Sequence, residues 1–332
     1  MLATQKYSRF NHMYEFCYGK IFNPFLRKQD EGIVLGAIEP IGTTFSNIVR
    51  DYDWPLQYKW GITGSANGEF NNPESIVIYN NEIIICDKRN HRIQVYELDG
   101  TFLRQWGTFG RGIGQFEYPN GLAICNDMNE IFVCDKLNNR IQVFRLNDNS
   151  FVRMFNTNSP TGIAICGNLV FVTNNQIHSI QCFQTDGMLI REWGSLGTNP
   201  GQFNSPYGIT VSSITMELFV CDMGNHRVQV FDFDGNFLRQ WGSLGTQLQF
   251  PQTQYPQFIT LTLEGDVLVT DLIRDSGRIQ QFTPDGTIVR EINPATYYQD
   301  IFWPTGLAVT STGYMVVGDF HNNCVYVEFV GH

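Results

Sequence analysis

Three histidines, His91, His178 and His226, recur at one position of a repeating pattern, and three imidazoles are a set that could ligate zinc. The same pattern places Asp87, Asp135 and Asp222 five residues before Arg92, Arg140 and Arg227. A carboxylate and a guanidinium at fixed spacing could form a ring of acid–base pairs or a charge-paired clip across a turn. The third copy separates these readings, because Asn174 and Ser179 replace both partners together. Joint loss is what a clip predicts, whereas a catalytic ring needs no such pairing. The sixth copy keeps Asp319 but has Cys324 in the arginine position, so the rule is imperfect. The histidine position is filled by Asn139, Gly277 and Asn323 in the other copies, so a turn residue that tolerates His or Asn accounts for it better than a ligand. Metal-dependent lyase or hydrolase chemistry stays as an alternative.

Eight cysteines form no Cys-x-x-Cys pair. Cys86, Cys134 and Cys221 share one slot and Cys125 and Cys166 another, and copies of a slot are held apart by the repeat itself. They read as reduced thiols packed as small hydrophobes. No Gly-x-Ser-x-Gly, phosphate loop or His-Glu-x-x-His occurs. The glycine-rich stretch 107–114 joins strands, so it offers no helix N-terminus to phosphate. The expectation is a non-enzymatic protein without a cofactor.

The elements that position these residues repeat. A proline recurs at Pro73, Pro119, Pro160, Pro206, Pro256 and Pro304, every 41 to 50 residues. Each unit holds four short runs rich in Ile, Val, Phe and Tyr, separated by turns such as Asp99-Gly100, Asp186-Gly187 and Asp285-Gly286. Four antiparallel strands at that period describe propeller blades, and six units make an all-β, six-bladed β-propeller. The last unit stops at its third strand, Val325 to Phe329. The segment Leu56 to Gly61 has the signature of a fourth strand (compare Phe102 to Gly107) yet precedes the first unit. Pairing the two removes an exposed edge and closes the ring.

The stretch Asn90-His91-Arg92-Ile93-Gln94-Val95, repeated as Asn225 to Val230 and, with Asn139 for the histidine, as Asn138 to Val143, resembles the NHL repeat. The resemblance spans about residues 54–330, with units 3, 5 and 6 departing in detail. It implies the propeller fold and a range of roles: RNA- or protein-binding tripartite-motif ligases, sensor domains of bacterial kinases, and a peptide-amidating lyase. Residues 1–53 lie outside the repeats, so the expected domains are an N-terminal arm, 1–53, and the propeller, 54–332. The arm is read as packing on the propeller wall, with a docking segment as the alternative.

Strand alternation puts the loops joining blades and the turns between second and third strands on one face, the top. The bottom turns carry most of the acidic residues behind the net charge of −10, and the top leans basic at Lys88, Arg89, Arg111 and Lys136. A pI near 5.0 differs from the basic pattern of nucleic-acid binders. RNA binding at those four residues is therefore the second reading. The first is a protein or peptide bound on the top face, near the short lead-in to blade 3 and the aromatic lead-ins to blades 5 and 6. The expected contacts are Phe250, Tyr255, Tyr297, Tyr298 and Phe302, because aromatics on a rigid rim anchor partners. With neither a membrane span nor a secretory leader visible, the expected location is cytoplasmic.

Overall fold

A computed structural model describes residues 57–242, 253–273, 276–292 and 302–329. Six four-stranded antiparallel sheets form the blades. Their first strands are Pro73–Tyr79, Pro119–Cys125, Pro160–Cys166, Pro206–Ser212, Tyr255–Leu261 and Pro304–Val309. The last sheet is completed by Gln57–Trp60, which pairs with Cys324–Phe329 in the register Gln57↔Glu328 to Trp60↔Val325. The expected closure is therefore present. Trp60 packs on Tyr96 at a ring separation of 5.9 Å, so the closing strand also touches blade 1.

Alternating Ile, Val and Phe put one row of side chains on each face of a strand, and neighbouring blades bury both rows. The core is consequently a set of clusters between blades. One joins Ile84, Ile93 and Val95 of blade 1 to Leu122, Ile131 and Val133 of blade 2. The closing seam packs Val316, Val325 and Val327 against Ile76, Ile83 and Ile85. The lead-in loops of blades 1, 2 and 4 each add a phenylalanine wedge, and Phe70, Phe116 and Phe203 are fully buried. Burying such a ring contributes about 1.5–3 kcal/mol. The seven cysteines among the described residues are all buried, and burial raises the pKa of Cys86, Cys134 and Cys221.

Around the axis the first strands approach so closely that a Cβ at Gly121 would collide with the Thr161 carbonyl oxygen, and one at Gly162 with that of Tyr207. They enclose a cavity of about 210 Å³ lined by residues including Ile76, Leu122, Ile163, Ile209, Ile259 and Leu307.

The Asp–Arg clip is present and does more than span its turn. Arg227 Nε donates to Asp222 Oδ2 at 2.7 Å, and its other nitrogens donate to the lead-in carbonyls of Thr198, Asn199 and Gln202 at 2.8–3.1 Å. Arg92 and Arg140 repeat this arrangement on the loops of their own blades. Asn90, Asn138 and Asn225 donate to the Asp and to a loop glycine carbonyl. Gln94, Gln142 and Gln229 likewise bridge loop and carboxylate. The lead-in to blade 3 is only three residues long, between strands ending at Asn156 and starting at Pro160. With no loop to hold, that blade replaces the Asn and Arg by Ile177 and Ser179. In blade 5 the clip survives at a different spacing, with Arg278 Nη2 3.0 Å from Asp271 Oδ2.

The bottom is less acidic than its turns implied. Glu82, Glu130 and Glu217 pair with Arg104, Arg153 and Arg239 of the fourth strands, each at 2.6 Å. These arginines, and Arg191, also reach carbonyls of the next blade: Leu146, Thr185, Pro284 and Phe233. Among the described residues no helix is long and apolar enough to cross a membrane.

Candidate functional site

The histidine position proves to be a seam latch. His91, His178 and His226 each end the turn after the Asp position (Asn174 in blade 3) with a left-handed backbone, φ 56° to 57°, as do Asn139 and Asn323 at 55° and 50°. Among non-glycine residues that region favours Asn, Asp and His. Each side chain then binds the backbone just ahead of the next blade. His91 Nδ1 accepts from Tyr118 N at 3.1 Å and His178 Nδ1 from Ser205 N at 2.9 Å. Asn139 Oδ1 accepts from Ser159 N, Asn323 Oδ1 from Asn72 N, and His226 Nδ1 donates to the Gln254 carbonyl. The three imidazoles therefore serve three separate seams, and the described residues contain no group of three or more His, Cys, Asp or Glu side chains able to hold a metal.

At the top of the axis the repeat departs from itself. The residue after the proline position is Glu74, Asn120, Thr161, Tyr207, Gln257 or Thr305, a different environment from nearly every blade. Tyr207 of blade 4 reaches across the axis and donates to Glu74 of blade 1. Asn120 Nδ2 donates to Glu74 Oε1 at 3.1 Å and to the Tyr207 hydroxyl at 2.9 Å. All three residues are buried, and the residues that follow them, Ser75, Gly121 and Gly208, line the cavity below. Sequence reasoning missed it. The available signal was variation at one slot between an invariant proline position and the conserved-looking hydrophobic run that follows within the chain.

Two lysines expected in an outward basic patch turn into this mouth. Lys88 Nζ lies 2.7 Å from Glu74 Oε1. Burial opposes its charge, but Glu74 and the Tyr207 hydroxyl outweigh burial and raise its pKa. Lys136 Nζ sits 5.6 Å from the Tyr207 ring centroid. Burial, reinforced by repulsion from Lys88, lowers it to about 8. Burial and the nearby Glu74 raise the Tyr207 hydroxyl. Arg89 lies 5.7 Å over the Phe320 ring, which stacks on Trp303 at 5.6 Å and 6°. Arg89 is exposed, and Arg111 is 85% exposed and 3.7 Å from Glu117. The four do not form one patch.

The expected aromatic contacts also divide. Phe302 is 1% exposed and packs edge-on against Tyr326, so it is a core residue rather than a rim anchor. The short step from Phe302 to the innermost strand at Pro304 forces its ring into the seam. Tyr255 is exposed and packs edge-on against His226. Phe250, Tyr297 and Tyr298, with the arm 1–53, lie outside the described residues. The top instead exposes Ile62, Phe109, Ile113 and Leu196 on the lead-in loops of blades 1, 2 and 4. The clips hold those loops by their backbones, which leaves these side chains facing solvent.

A family model described as a 6-bladed beta-propeller matches residues 65–161. The protein brain tumor of Drosophila melanogaster is 26% identical over 141 residues, 41% of this chain and 14% of that protein. RING finger protein nhl-1 of Caenorhabditis elegans is 40% identical over 65 residues, 19% of this chain and 7% of that protein. The matched segments thus span a small part of the length of these curated relatives. Among solved structures, virginiamycin B lyase from Staphylococcus aureus has a TM-score of 0.58 at 15% identity, covering 82% of this chain and 98% of that one. At that identity the likeness is one of fold. The repeated Asn, Arg and Gln side chains that hold the lead-in loops and the strand-closed ring make the chain a six-bladed β-propeller, and its repeats are similar to those of the NHL-repeat proteins it matches.

Proposed function

We propose that this propeller is a non-enzymatic interaction scaffold that binds a protein or peptide on its top face. The observation that carries the reading is the set of large apolar side chains held out by the lead-in loops. Ile62, Phe109, Ile113 and Leu196 are each 60–65% exposed, and Tyr255 is 47% exposed. Their backbones are fixed by the Arg, Asn and Gln clips, so binding orders few additional groups. Rigid apolar anchors within a polar surround match the anatomy of protein interfaces. Tyr297 and Tyr298, outside the described residues, are further contacts in this proposal.

RNA binding is the weaker reading, because Lys88 is committed to Glu74 and Lys136 is turned over Tyr207. The test is capture of partners by the full chain, followed by their identification, with Phe109→Ser/Tyr255→Ala and Tyr297→Ala/Tyr298→Ala variants that melt like the parent. Loss of a protein partner in either variant supports the reading. Unchanged capture by both variants, or salt-sensitive RNA retention lost on Arg89→Gln/Arg111→Gln, overturns it.

A further inference from the structure

We infer that the mouth of the axial channel is a binding site for a single carboxylate of a peptide partner, held by Lys136 and Lys88 above the Glu74–Tyr207 bridge. The inference rests on the top-face reading and adds the chemistry of the ligand.

The charges at the mouth do not balance. Glu74 faces Lys88 in a close ion pair, and Lys136 has no ion-pair partner among the described residues. Two ammonium groups against one carboxylate leave one uncompensated positive charge, in a chain of net charge −10. Lys136 is half-buried, and an unpaired charge that is partly removed from water is costly. A bound anion removes that cost, and the low local dielectric strengthens the contact.

The geometry limits what can enter. Tyr207, Asn120 and Glu74 bridge the channel, so a ligand meets a polar floor and cannot thread the ring. The site reads the tip of a side chain or a chain end. One surplus positive charge matches a monoanion, whereas a phosphate dianion would overshoot beside Glu74. A nucleic-acid strand brings further phosphates every few ångströms. Beyond the two lysines they would meet Arg89, already over Phe320, and Arg111, already shared with Glu117. A carboxylate flanked by apolar residues also suits the exposed loops around the mouth.

The probes are two capped peptides, Gly-Gly-Glu-Gly-Gly and its Gln counterpart, and the uncapped Gly-Gly-Gly-Gly-Gly, added to the full chain while lysine side-chain NMR signals are followed. Binding of the Glu peptide or of the free C-terminus, at least tenfold tighter than the Gln peptide, supports the site. So does an upward move of the Lys136 titration midpoint, from about 8, by at least one pH unit on binding. The capped Glu peptide and the uncapped pentaglycine separate a side-chain source from a chain end. Lys136→Gln should lose the response while melting like the parent, and Lys136→Arg should retain binding. Binding of both the Glu peptide and pentaglycine no tighter than the Gln peptide, no response to any of the three, or an unchanged response in Lys136→Gln overturns the inference. A short oligouridylate that displaces the peptide and depends on Lys136 also overturns it in favour of RNA. Capture of a protein partner that needs Phe109 and Tyr255 but ignores Lys136→Gln would sink this site and leave the scaffold reading standing.

Discussion

Replacing Asp222 by Asn isolates the clip that organises each full blade. Asp222 is fully buried and accepts from Arg227 Nε, Asn204 N, Asn225 Nδ2 and Gln229 Nε2 at 2.7–3.0 Å. All four partners are donors, so an amide in its place turns an NH₂ toward hydrogens and leaves the Arg227 guanidinium buried without a counter-charge. Breaking a buried pair from one side costs about 3–5 kcal/mol. The double variant Asp222→Asn/Arg227→Ser recreates the pair found at Asn174 and Ser179 and removes the stranded charge. It should cost no more than Asp222→Asn alone, although the lead-in loop loses its bonds at Thr198, Asn199 and Gln202. The assay is urea unfolding of the parent, both single variants and the double, with the slope unchanged across the set. Coupling between contacting partners is expected at about 1 kcal/mol or more. A loss below about 1 kcal/mol for Asp222→Asn, or strict additivity in the cycle, would refute the clip as the force that holds the loop. Hydrogen exchange should show faster opening of residues 195–204 in the double variant, because its lead-in loop is no longer tied.

Deleting residues 57–61 should destabilise the whole ring rather than one blade, because Cys324–Phe329 loses its partner strand; a retained melting temperature would contradict the closure. His91→Asn should preserve the seam latch as Asn139 and Asn323 do, whereas His91→Ala should cost about 1 kcal/mol in urea unfolding. Burial lowers the His91 pKa from its ordinary value, so its share of stability is full above about pH 6.5 and fades as pH falls through the folded value. The parent should therefore lose more stability than His91→Asn between pH 7 and 5. Gly162→Ala should cost about 1–3 kcal/mol, since the added methyl meets the Tyr207 backbone; a thermal melt checks it. Phe302→Ala should cost about 3–5 kcal/mol by opening a cavity beside Tyr326, and unchanged stability would return Phe302 to the rim.

The sequence by itself determined the ring. A proline recurring six times, an Asp slot kept in five units and four apolar runs in all but the truncated last unit leave little freedom, because each repeat is one unit that must bury its faces against the next. The truncated last unit and the stray strand at Leu56–Gly61 likewise determined closure, since an unpaired edge is a liability. The Asp–Arg clip was legible through its joint loss at Asn174 and Ser179. Its cause was not, because the guanidinium bonds run to backbone carbonyls of a loop some 25 to 29 residues away. Only the tertiary structure decided which residues face the axis. Lys88 and Lys136 read as outward charges in a short turn, but Lys88 reaches Glu74 and Lys136 reaches Tyr207 on the first strands around the axis, which come from blades far apart in the chain. Phe302 was mistaken for a rim residue for the same reason: side-chain direction in an irregular lead-in has no period to follow, so packing against Tyr326 settles it.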